Sequence, residues 1–192
     1  MALPGSDGFD QLEHDEMALT DLAVKGDTAV ATGWGPEGDG VAPFVFTRDP
    51  LGEWHLVELP ESSELGWNVS VVATETSFVA TGGRPDESVE GDHVSAVWVS
   101  NDGIDWRQAD ATSLASALII DVAGDGHRVV ASEESGEMWY SDDDGETWLR
   151  GEVESGPSLF IVGLMFDTEV GRWLGVGTVW PLSESTLLTG SG

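Results

Sequence analysis

Acidic side chains dominate what this chain could do chemically. It carries 36 Asp and Glu against 7 Lys and Arg, a formal charge of −29. Two carboxylates held a few ångströms apart can divide the work of glycosidic bond cleavage, one as acid and the other as base or nucleophile. The segment 82–94 gathers groups of that kind: Arg84, Asp86, Glu87, Glu90, Asp92 and His93. Abundance weakens the signal, because among so many acids some pair always lies at a workable distance. The run Asp142-Asp143-Asp144-Gly145-Glu146 resembles a calcium loop only superficially, since it lacks the distal ligand register of an EF-hand. The four histidines (His14, His55, His93, His127) show no metal-ligand spacing. There is no cysteine and hence no thiolate chemistry. No glycine-rich phosphate loop joins a strand to a helix. No metal and no cofactor is expected from these residues.

The charge balance also excludes partners. A surface this acidic repels nucleic-acid phosphates and anionic membranes, so neither DNA nor RNA binding is expected. Acids spread along the whole chain point to general solvation, and to adaptation to high salt, where screening relieves self-repulsion. With 40% apolar residues and nine tryptophans, the composition is globular. No apolar run reaches membrane-spanning length. The first residues, Met-Ala-Leu-Pro-Gly-Ser, have neither a basic segment nor an apolar stretch and do not read as a signal peptide. An intracellular protein, a mature form and an excised domain all fit that start.

Residues 141–148, Ser-Asp-Asp-Asp-Gly-Glu-Thr-Trp, form the most specific pattern. A tight turn between antiparallel strands needs a short polar side chain to bond the backbone, which Asp143 supplies. It also needs a residue that tolerates positive φ, and Gly145 fits. Ser141 and Thr147 can close the turn by hydrogen bonds, and Trp148 can bury its ring at the start of the next strand. Residues 100–106 repeat the pattern one residue short, with Ser100, Asp102, Gly103 and Trp106 in place. Residues 47–54 keep Thr47, Asp49 and Trp54, with Gly52 displaced by one. The three tryptophans lie 52 and 42 residues apart, a spacing in the range of propeller blades.

These octets resemble the Asp-box, S/T-x-D-x-G-x-T-W, of sialidase-type (BNR-repeat) β-propellers. The resemblance implies an all-β fold in which the boxes are folding devices between the third and fourth strands of each blade. Hydrophobic alternation agrees with it, giving short strands in repeated order and the echo Val-Ala-Thr-Gly at 30–33 and 79–82. We expect one β-propeller domain over 1–192, with four blades of four-stranded antiparallel sheet at about 17–60, 68–110, 117–153 and 159–192. The last unit lacks a fourth strand. Residues 5–13 (Gly-Ser-Asp-Gly-Phe-Asp-Gln-Leu-Glu) look like a worn box and could supply it, closing the ring. The alternative is a fragment of a six- to eight-bladed ring.

Blade topology places the boxes on one rim and the B–C and D–A connections on the other. The second rim receives 34–42, 60–67, 82–94, 110–116, 154–158 and 180–184, and with them Trp34, Trp67 and Trp180. Aromatic rings beside carboxylates could hold a sugar or a cationic group, although such tryptophans also simply cover blade ends. A sialidase site needs an arginine cluster, a tyrosine nucleophile and an acid/base aspartate. Tyr140 instead sits beside Trp139 next to a box, the arginines do not converge, and the family's Arg-Ile-Pro signature is absent. We therefore expect a non-catalytic binding or scaffold module for a glycan or protein segment. The alternatives are a carboxylate-based glycoside hydrolase and an architectural unit that self-associates. The resemblance implies an extracellular setting.

Overall fold

A computed structural model of the chain describes residues 18–37, 40–60, 70–85, 93–114, 117–151, 159–179 and 185–191. Among them lie fifteen strands, a single 3-10 turn at Thr112–Leu114 and no α-helix. The first sheet contains β1 (Ala18–Lys25), β2 (Thr28–Glu37), β3 (Gly40–Arg48) and β4 (Trp54–Val57). The second contains β5 (Ser70–Ala73), β6 (Phe78–Pro85), β7 (His93–Ser100) and β8 (Arg107–Gln108). The third contains β9 (Ile119–Asp125), β10 (Arg128–Glu133), β11 (Met138–Ser141) and β12 (Leu149–Arg150). The fourth has three strands among the described residues: β13 (Leu159–Asp167), β14 (Arg172–Val179) and β15 (Ser185–Ser191). Every pairing is antiparallel between chain neighbours, so each sheet is a meander. Residues 5–13, expected to complete the fourth sheet, lie outside the described residues.

Strand alternation decides how the sheets stack. In β2, Val30 points toward the second sheet while Ala31 points away; in β6, Val79 and Ala80 do the same one sheet later. Ala23, Val30 and Val45 of the first sheet form one core with Val71, Ala80, Trp98 and Trp106 of the second. Val79, Val97 and Val99 form the next core with Val122, Ala131 and Trp148 of the third. The first strands of the sheets follow one another in space, β1 against β5, β5 against β9 and β9 against β13. The second and third sheets thus bury both faces between their neighbours, which is why their first strands read as nearly continuous apolar runs.

One sequence expectation needs adjustment. Segment 34–42, read as a loop from its glycines and proline, continues the β2–β3 ladder through Trp34↔Pro43, Gly35↔Ala42, Pro36↔Val41 and Glu37↔Gly40. Segment 82–94 likewise stays paired as far as Pro85↔His93. Backbone hydrogen bonds between strands do not depend on side-chain type, so this pairing runs on through glycine, proline and acidic residues that show no apolar alternation.

Candidate functional site

The turns at 100–106 and 141–148 share one hydrogen-bond scheme. The Ser141 hydroxyl donates to Asp143 Oδ1 at 2.8 Å and accepts from the Gly145 amide at 2.9 Å. Asp143 accepts from the Thr147 amide at 2.9 Å and its hydroxyl at 2.7 Å, and Trp148 Nε1 donates to the Gly145 carbonyl at 3.0 Å. In the shorter turn, Ser100 bonds Asp102 and the Gly103 amide, Asp102 accepts from the amides of Ile104 and Asp105, and Trp106 Nε1 donates to the Gly103 carbonyl at 2.8 Å. Burial opposes the charge on Asp143 and Asp102, but these donors outweigh it and hold both carboxyls below the usual range.

Both glycines have positive φ, +79° at Gly103 and +86° at Gly145. Each lies flat on the preceding sheet. A Cβ on Gly103 would come within 2.7 Å of Val30, and one on Gly145 within 2.7 Å of Val79. The Thr47 hydroxyl of the first sheet also donates to the Gly103 carbonyl. The turns are therefore clasps between successive sheets, and their acids are consumed in holding the clasp. The turn at 47–54 differs. Asp49 Oδ1 accepts from the amides of Leu51 and Glu53, both at 2.9 Å, but Trp54 packs on Ala31, Phe44 and Phe46 of its own sheet.

A second group of acids lies where the first strands meet. Asp21 of β1, Ser70 of β5 and Asp121 of β9 occupy the same register position, opposite Thr32, Thr81 and Ser132. Ser70 Oγ lies 2.7 Å from Asp21 Oδ2 and 2.8 Å from Asp121 Oδ1. Each of these residues also bonds the backbone of the next sheet: Asp21 accepts from the Val71 amide at 2.9 Å, Ser70 from Val122 at 3.4 Å and Asp121 from Leu164 at 2.6 Å. A serine hydroxyl has one proton and cannot donate to both carboxyls. Burial pushes the Asp121 carboxyl above the usual range and the neighbouring Asp21 charge adds to the effect, against the bonds from Ser70 and Leu164. No linear motif marks this chain of groups. The available signal was a polar residue at one offset in three apolar strands: Thr-Asp-Leu, Val-Ser-Val and Ile-Asp-Val.

The expected ligand residues scatter differently. Trp34 is half-buried in β2, opposite Ala18 and Pro43. Arg84 and His93 stand on the β6–β7 hairpin, in the pairs Arg84↔Val94 and Pro85↔His93. Trp67, Asp86, Glu87, Glu90, Asp92 and Trp180 lie outside the described residues. On the opposite rim, Lys25 Nζ donates to the carbonyls of Thr76 (2.7 Å) and Asn101 (2.8 Å) and covers the Phe78 ring, joining the first two sheets. There too Asp49, Glu53 and His55 bring one ligand atom each within 4.8 Å of one another, a grouping the linear spacing of histidines did not suggest. Asp49 is already occupied by the amides of its own turn.

No family model matches this sequence, and no curated protein matches it. Solved structures do resemble it. The computationally designed Ika4 protein shares 18% identity, with 94% of this chain and 95% of that chain covered and a TM-score of 0.54. Trypanosoma rangeli sialidase in complex with sialic acid shares 14% identity over 92% of this chain and 36% of that chain, with a TM-score of 0.58. YCF48 bound to D1 peptide shares 14% over 92% and 54%, at 0.53. The chain thus spans about a third of the sialidase and about half of YCF48. At these identities the likeness is one of fold, and the fold is a β-propeller.

Proposed function

We propose that this chain is a non-catalytic binding or scaffold module of the Asp-box propeller type, with a glycan or protein segment as ligand on the rim where the B–C and D–A connections meet. Four blades, at about 17–60, 68–110, 117–153 and 159–192, carry that rim, and residues 5–13 supply the strand that the last sheet needs. Trp34, Trp67 and Trp180 provide apolar platforms. Arg84, Asp86, Glu87, Glu90, Asp92 and His93 provide polar contacts. The observation that carries this reading is the engagement of the interior acids: both carboxyl oxygens of Asp21, Asp121 and Asp143 are taken up in internal hydrogen bonds. Acids so engaged fix the frame and leave recognition to the rim. Similar folds serve recognition elsewhere, since the sialidase holds sialic acid and YCF48 a peptide.

A glycan array tests the proposal. Binding without turnover, weakened by Trp34→Ala at unchanged melting temperature, supports it. Hydrolysis of an aryl glycoside overturns it in favour of the second reading, a glycoside hydrolase. That reading has one observation of its own, the approach of the Asp21 and Asp121 carboxyls to one hydroxyl, Ser70 Oγ, at 2.7 and 2.8 Å. If it holds, Asp121→Asn abolishes turnover while preserving the fold.

A further inference from the structure

The rim that carries the clasp turns also carries the turns between the first and second strands, and there Lys25 and His127 each join one sheet to the next. At the first junction the Lys25 ammonium reaches the Thr76 and Asn101 carbonyls of the second sheet. At the second junction the group is His127, in the turn between β9 and β10. Its Nδ1 lies 2.8 Å from Asp144 Oδ2 in the clasp turn of its own sheet, and its Nε2 lies 3.5 Å from Glu75 Oε2 in the β5–β6 turn of the second sheet. Backbone bonds tie the same place. The Glu75 amide donates across the junction to the Gly126 carbonyl at 3.0 Å, and the Asp144 amide donates to the His127 carbonyl at 3.0 Å.

Two ring nitrogens facing two carboxylates select one form of the imidazole. A neutral ring has one N–H and one bare lone pair, so it serves one carboxylate and turns the lone pair on the other. An imidazolium donates to both. The Asp144 bond and charge, with the Glu75 charge behind them, hold the ring above the usual imidazole range against desolvation. Burial raises the Asp144 carboxyl in turn, but the Thr74 and Thr76 hydroxyls and His127 outweigh it and keep that carboxyl below the usual range. The other charges around the ring are Asp125 and Arg128 on its own hairpin, Asp142, which pairs with Arg128 at 2.8 Å, and Lys25, which faces Asp144 and Asp102. Aspartate, arginine and lysine ordinarily titrate outside the window of about pH 5 to 8 in which a histidine changes charge.

We propose that His127 is a proton-operated latch between the second and third sheets: with its proton the ring ties Glu75 to Asp144 and closes the rim, and without it the two turns part. The inference goes beyond the binding-module reading and does not rest on it. Its sign follows from the two states of the ring. Closure is complete below the ordinary imidazole value and is lost as pH rises through the raised one. The ring is half exposed, and an exposed ion pair contributes little to global stability. The latch therefore governs local opening at this junction, not melting of the fold. The first junction has a lysine in the corresponding place and stays closed through the same window.

Proton NMR of the full chain, from about pH 5 to about pH 8, tests the proposal. The His127 ring should titrate above its ordinary 6.5, and its midpoint should fall in Glu75→Gln and in Asp144→Asn. Glu75 is exposed, and asparagine accepts the φ of +58° at position 144 as aspartate does, so both variants keep the wild-type tryptophan near-UV spectrum. Amide exchange, corrected for its intrinsic rise with pH, should show the Glu75 amide losing protection through the same midpoint. Linkage sets the size of the loss, about tenfold for each unit by which the wild-type midpoint exceeds that of the doubly substituted chain. The Ala109 amide, bonded to the Val97 carbonyl within the second sheet, should keep its protection throughout. In His127→Gln the Glu75 amide should exchange at the high-pH rate at every pH. A ring that titrates at or below the ordinary value, a Glu75 protection indifferent to pH, or a pH-dependent loss that survives His127→Gln overturns the proposal. Equal losses at Glu75 and Ala109 overturn it as well, because the whole sheet then opens and no latch is at work.

Discussion

Trp148 shows how one residue can serve two sheets. Its ring lies in the core shared by the second and third sheets, and its indole N–H ties back to Gly145. Removing a buried ring of that size costs about 3–5 kcal/mol, so chemical denaturation of Trp148→Ala should show a loss in that range. A loss below about 1 kcal/mol would deny the ring its place in the core. Asp121 gives a prediction with a definite sign. Its folded carboxyl titrates above the unfolded one, so the native state holds more protons, and stability falls as pH rises from the ordinary carboxylate range through the raised value. Asparagine mimics the protonated acid, accepting from Leu164 and donating to Ser70. Asp121→Asn should flatten this part of the pH profile and melt no lower than wild type at neutral pH. Asp121→Ala leaves the Leu164 amide and Ser70 without their partner and should cost about 1–3 kcal/mol. Asp143 runs the other way: its depressed carboxyl stabilises the fold at neutral pH, and that contribution disappears as acid titrates it.

At the scale of elements, the clasp turns carry the architecture. Gly145 combines a positive φ with contact against Val79, so Gly145→Ala meets backbone strain and steric overlap together. Thermal melts should place the variant about 2 kcal/mol or more below wild type, and an unchanged melt would mean that the turn stands free of the second sheet. These turns were legible in the sequence because each depends on local chemistry, an acid, a glycine and an indole at fixed spacing. The strands were legible through alternation, and β10, β13 and β14 begin and end where the apolar pattern does. What escaped was of two kinds. The paired arm from Trp34 to Pro43 is held by backbone pairing through glycine, proline and acidic residues and carries no apolar alternation. The Asp21–Ser70–Asp121 chain joins residues about fifty positions apart, and only the register of three separate sheets brings them together. The degraded turn at Asp49 kept its polar bonds, but its tryptophan packs within its own sheet, a distinction that spacing alone does not carry.

At the scale of the molecule, charge and stacking act against each other. With 36 acids and a single lysine, which bridges the first two sheets, repulsion works throughout the fold. Added salt should raise the melting temperature, and a melt independent of salt would remove the high-salt reading. The clasps of the second and third sheets each grip the sheet before them and no other. Double-mutant cycles read that out directly. Val79→Ala should couple to Trp148→Ala, and Val30→Ala to Trp106→Ala, each by about 0.5–3 kcal/mol. The crossed pairs, Val30 with Trp148 and Val79 with Trp106, should be additive within about 0.5 kcal/mol. Equal coupling in matched and crossed pairs, or none in either, would contradict the sheet-by-sheet grip on which the fold depends.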